Sequence, residues 1–194
     1  MIHRFSTIAA LAAAALIAAA PAAVAVNSKP DKHCLAVVVG SPQQLGNGNG
    51  QKNDDEREFE SGATTFAATN VTDIEFAIVF SPQVASQFSS VHLVEFRVFT
   101  PSGNLYESLS LPITTDAKRA GERHRVPGYP DLVPVQVLKP ITHGNGNGLF
   151  AKVKLPVAGT PILSNSLYGT WKADALVEEQ TTSCSTPASF TITR

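Results

Sequence analysis

The sequence predicts an all-β fold, an antiparallel β-sandwich of about eight to nine strands with two long loops. Three observations carry this. Apolar residues alternate with polar ones in short runs, the period-two signature of strands with one face in a core and one in water. The runs are separated by Pro, Gly, Asn and Ser, the residues of turns. Helical periodicity is nearly absent beyond the N-terminal region. The composition agrees: of 194 residues 43% are apolar and 16% charged, with a net charge of −1. That balance argues against disorder, and the lack of a basic excess argues against nucleic acid as a partner.

The chain opens on an address. Arg4 supplies a positive start, Ile8 to Ala20 is unbroken apolar sequence, and Ala23-Val24-Ala25 is a small-residue cleavage pattern. This is the layout of a secretory signal peptide over residues 1–25, removed to leave one domain over 26–194. An uncleaved anchor is the alternative, but the run is mostly alanine and lacks a stop-transfer flank. Cys34 follows Asp31-Lys32-His33, which is no lipobox, and no later stretch is long and apolar enough to span a bilayer. The expected location is secreted, periplasmic or extracellular. In such an oxidising compartment the two cysteines, Cys34 and Cys184, are expected to form one disulfide joining the start of the fold to its end.

The strands follow in order. Leu35 to Val39 is a buried-strand run, and Ile74, Phe76, Ile78 and Phe80 form one alternating face. Ser81 to Ser89 holds a short helix at most, with Ser81 as cap and Pro82 at its first position. Val94, Phe96 and Val98 alternate next. Thr100-Pro101-Ser102-Gly103-Asn104 then reads as a hairpin turn with Gly103 in the left-handed position. Leu105, Leu109 and Leu111 form the returning strand. Val133, Val135 and Val137 follow, then Ala151, Val153 and Leu155, and Trp171, Ala173, Ala175 and Val177. Phe190 and Ile192 close the chain. The lone Trp171 reads as the core plug; a surface stacking platform is the alternative.

The unusual chemistry lies in two stretches too long for plain turns, 41–62 and 114–130. The first carries Asp54, Asp55 and Glu56 with Glu58 and Glu60. Clustered carboxylates suit calcium, but the spacing matches no EF-hand, and a solvated acidic loop is the plainer reading. The second carries Arg119, Arg123, His124 and Arg125. Opposite charge lets the two loops dock on each other, or lets the basic one meet an acidic glycan or membrane surface. Gly46 to Gly50 and Gly144 to Gly148 repeat a Gly-Asn pattern that suits tight turns, or a backbone nest for an anion. Asn70-Val71-Thr72 matches the N-glycosylation pattern, relevant only in a host that glycosylates. The histidines show no metal spacing, and there is no nucleophile elbow, phosphate loop or dinucleotide fingerprint. No metal, cofactor or catalytic residue is therefore expected.

Phe96 to Tyr106, with its Pro-x-Gly turn, resembles the hairpin of bacterial Ig-like and macroglobulin-type modules. Leu155 to Gly159, Tyr168 to Ala173 and Ser189 to Thr193 resemble their later strands. The resemblance spans Ile74 to Arg194, and the acidic Asn/Gly region before it departs from the pattern. It implies an Ig-like sandwich acting as a spacer or binding domain in the cell envelope or extracellular space. The expected function is a non-catalytic structural or binding module whose partner is an envelope protein or a glycan. The alternative is a glycan- or small-ligand-binding protein that uses the Asn/Gly-rich and charged loops.

Overall fold

The computed structural model describes residues 34–40, 64–144, 146–178 and 180–194. The expected signal peptide, the acidic loop with Asp54, Asp55 and Glu56, and the first Gly-Asn run lie outside them.

Two sheets face each other across a shared core. The first holds β1 (Ala36–Gly40), β3 (Asp73–Phe80), β10 (Gly146–Pro156) and β9 (Lys139–His143), in that spatial order, with every pairing antiparallel. The second holds β2 (Thr65–Ala67), β12 (Ala188–Thr193), β11 (Gly169–Val177), β4 (His92–Phe99), β5 (Leu105–Thr114) and β8 (Gln136–Val137). A separate ribbon pairs β6 (Arg123–His124) with β7 (Val133–Pro134). Among the described residues, no helix is long and apolar enough to cross a membrane.

The alternating residues meet as their period requires. Ile74, Phe76, Ile78 and Phe80 of β3 pack against Val94, Phe96 and Val98 of β4 and against Trp171, Phe190 and Ile192. Phe76 bridges the sheets, its ring 5.4 Å from Phe190 and 6.5 Å from Phe96. Trp171 is fully buried and its indole N–H donates to the carbonyl of Leu167 at 3.0 Å, so its one polar atom is satisfied in the core. The Cys34–Cys184 disulfide joins the residues before β1 to the connection between β11 and β12, and so ties one sheet to the other.

Both later crossings from the four-stranded to the six-stranded sheet use the same device. α1 (Pro82–Ala85) follows β3 and α2 (Pro161–Ser164) follows β10. Each starts on proline behind a capping hydroxyl: Ser81 accepts from the Val84 N–H at 3.2 Å, and Thr160 from the Ile162 N–H at 3.3 Å. The hairpin turn forms as expected, with the Gly103 N–H donating to Thr100 and Gly103 at φ +84°.

The six-stranded sheet corrects two expectations. It is mixed, because β2 runs parallel to β12 and β8 runs parallel to β5. The described residues also form twelve strands, more than eight or nine, because four are only two or three residues long. Alternation reports which face of a strand is buried and is blind to its direction. A parallel pairing needs a long connection, and the stretch between Thr114 and Gln136 provides one. Its first part, 114–130, expected as an open loop, belongs with the residues after it to a built flap. It carries a 3-10 turn at Ala117–Arg119 and the β6–β7 ribbon, and it buries Val126 and Val135.

Candidate functional site

The flap folds back beside the edge of β5. The Ser110 N–H points away from β4, beyond the reach of β8, and donates to the Tyr129 hydroxyl at 2.8 Å. The flap base is fixed where the Phe88 carbonyl accepts from the Thr115 N–H at 2.7 Å and from the hydroxyls of Thr114 and Thr115, each at 3.1 Å. Between flap and sheet lies a hollow of about 660 Å³, lined among others by His92, Glu95, Ser108, Ser110, His124 and Glu178.

These side chains come from separate parts of the chain. Glu95 lies on the outer face of β4, opposite in parity to Val94 and Phe96, and accepts from the Ser108 hydroxyl of β5. His92, at the start of β4, rests its ring 5.0 Å from that of Phe88. Its Nδ1 meets the carboxylate of Glu178 just past β11, and its Nε2 lies 2.9 Å from the Ser90 hydroxyl. His124 comes from β6 of the flap. Further along the same face, Arg97 makes two bonds to Asp174, at 2.7 and 2.9 Å. Those bonds raise the Arg97 guanidinium above its ordinary pKa. A smaller hollow of about 400 Å³ lies between the Thr100–Gly103 turn and Lys172, Asp174 and Pro187.

Of the basic residues singled out in the sequence, only His124 lines the larger hollow. Arg119 forms a two-point pair with Glu122, at 2.6 and 3.0 Å. That pair raises the pKa of Arg119 and lowers that of Glu122. Arg123 donates to the carbonyl of Leu132 and Arg125 to that of Pro130, each at 3.1 Å. The arginines thus stitch the flap to itself. His92, Glu95, Ser108 and Glu178 were not among the residues that the sequence singles out. Glu95 and Ser108 carried one signal, as polar residues on the wet faces of two strands that a hairpin turn pairs. Glu178 carried none, since only the fold brings it to His92. Among the described residues, no group of three or more His, Cys, Asp or Glu is placed to hold a metal.

Comparison with protein-family models, curated proteins and solved structures finds no match to this chain. The all-β architecture with facing sheets, and the disulfide, are therefore the description that stands.

Proposed function

We propose that this protein is a binding module of an oxidising, extracytoplasmic compartment, and that the hollow under the flap takes a small hydroxyl-rich ligand such as a saccharide. One observation carries the reading. Hydrogen-bonding side chains from β4, β5, β6 and the end of β11 converge on one hollow, beside the apolar rim of Val91, Leu93 and Pro127. A few polar groups set in an apolar wall are what fix a small ligand's orientation. Carboxylates, imidazoles and hydroxyls together accept from and donate to sugar hydroxyls. The disulfide supports the compartment, since such bonds persist where thiols are oxidised, and the N-terminal address in the sequence agrees.

A protein docking on a strand edge is the weaker reading. Of the four strands that end the two facing sheets, β1 has five residues, β2 and β8 have three and two, and β9 carries Lys139 and Pro140. Short edges, lysine and proline discourage strand addition at three of these edges, all but β1. The Ig-like assignment draws support from the facing sheets and the buried Trp171, and the parallel pairings weigh against it.

The test is calorimetric titration with a panel of monosaccharides and short oligosaccharides. Binding is expected for at least one, weakened about tenfold or more by Glu95→Gln, with one charged hydrogen bond lost. No heat at millimolar ligand, or affinity untouched by Glu95→Gln and Ser108→Ala, would overturn the reading.

A further inference from the structure

We propose that Ser90, His92 and Glu178 form a nucleophile, base and orienting acid for hydrolysing a small carboxylic ester at the rim of this hollow. This goes beyond ligand binding at that hollow, and beyond the sequence expectation of a non-catalytic module. Serines are numerous in this chain, so sequence alone picks out no triad; the fold picks one.

The geometry has three parts. First, the order of contacts is the one acyl transfer needs. The Ser90 hydroxyl lies 2.9 Å from His92 Nε2, while Nδ1 on the far side of the ring meets the Glu178 carboxylate. In the neutral ring that carboxylate holds the proton on Nδ1 and leaves Nε2 free to accept from the serine. Second, the acid is held in a strained place. Glu178 has φ +57°, one of two non-glycine residues with positive φ among the described residues. Its N–H donates to the carbonyl of Leu93 at 2.7 Å, which locks the turn beside the strand that carries His92. A side chain in the left-handed region costs free energy, and such residues cluster at functional sites. Third, His92 and Glu178 both line the hollow, so the base faces a space that can hold a substrate. Ser90 is exposed beside it.

The reaction closes on these groups. Ser90 Oγ attacks the ester carbonyl carbon as its proton passes to His92 Nε2. The tetrahedral intermediate expels the alkoxide, which leaves as the alcohol with that proton, and the acyl group stays on Ser90. Water then attacks the acyl carbon and gives a proton to Nε2; the second tetrahedral intermediate breaks its bond to Ser90 Oγ, which takes that proton back from Nε2, and the carboxylic acid leaves.

The probes are an alkyl fluorophosphonate, with peptide mapping of the labelled residue, and p-nitrophenyl acetate. The purified, disulfide-bonded protein is expected to be labelled at Ser90 and to release nitrophenolate. Ser90→Ala should abolish labelling. His92→Ala and Glu178→Gln should slow labelling about a hundredfold or more, within the span general base catalysis supplies. Ser90 is exposed, so its alanine variant keeps the fold, which circular dichroism checks. No label at Ser90 in the wild type, or an esterase rate unchanged in Ser90→Ala, would overturn the proposal. Saccharide titration on Ser90→Ala separates that failure from failure of the hollow as a binding site.

Discussion

The outer faces of the two sheets differ. On the four-stranded sheet, Ala77 and Val79 are fully buried, and Phe150 packs with them. That small apolar cluster sits against one ion pair, Glu75–Lys152, whose carboxylate side chain is 3% exposed. Gly148 fits the same face closely: a Cβ there would lie 2.9 Å from the Val79 side chain. The outer face of the six-stranded sheet is polar. It carries Glu95, Arg97, Ser108 and Asp174, all hydrogen-bonded, and the hollow under the flap. A strand buried on both faces, as β3 is, spends its outward residues on stability. A strand buried on one face, as β4 is, leaves them for chemistry. Structural cost thus falls on the four-stranded sheet, and the proposed binding site lies on the six-stranded one.

The largest break in that comparison is Lys152→Ala. It strands the Glu75 carboxylate in a buried site, and removing one partner of a buried pair costs about 3–5 kcal/mol. A urea unfolding curve measures it, and a loss under 1 kcal/mol would mean that this face is wetter than the structure shows. On the other sheet, Arg97→Ala removes both bonds to Asp174, which is nearly buried while Arg97 is partly exposed. The expected loss is about 1.5–3 kcal/mol. Arg97→Lys should recover only part, because an ammonium cannot repeat the two-point contact. Tyr129→Phe deletes the acceptor of the Ser110 N–H and should cost about 1 kcal/mol. Amide exchange at Ser110 should speed up while that of the β3 amides stays slow; equal acceleration in both would refute a local role for the flap contact.

The smallest effect is at Glu122. Its folded pKa is lowered by Arg119, so the pair's contribution is present above the ordinary glutamate pKa. It is lost as pH falls through the depressed value. Glu122 is exposed and Arg119 partly so, and solvent screens the pair, so the readout is a carboxyl NMR titration rather than stability. The Glu122 midpoint should lie below that of an ordinary glutamate and move up in Arg119→Gln. No movement would show that the pair does not hold in solution.

Much of the fold was legible because period-two patterning reports burial directly. The core faces of β3, β4 and β11 and the turn at Gly103 follow from it. Three features did not follow. Strand direction leaves no trace in alternation, so the parallel pairings of β2 and β8 were missed. The Val133 to Val137 run reads as one strand, yet it is shared between two sheets, β7 pairing with β6 and β8 with β5. α2 was missed because a single turn shows no period, although Thr160-Pro161 carries the same cap signal as Ser81-Pro82. The site was less legible still. Arg119, Arg123 and Arg125 drew notice through their charge, but guanidinium groups satisfy nearby carbonyls and carboxylates as readily as ligands. The contact between His92 and Glu178 joins residues 86 apart in sequence, a separation no local pattern can report.

Whether the six-stranded sheet binds the ligand is read residue by residue. Amide NMR spectra of ¹⁵N-labelled protein would be followed while the saccharide panel is added. Shifts are expected to concentrate at His92, Glu95, Ser108, Ser110, His124 and Glu178 while Ala77, Val79 and Phe150 stay still. Shifts centred on the four-stranded sheet, or none at millimolar ligand, would contradict it.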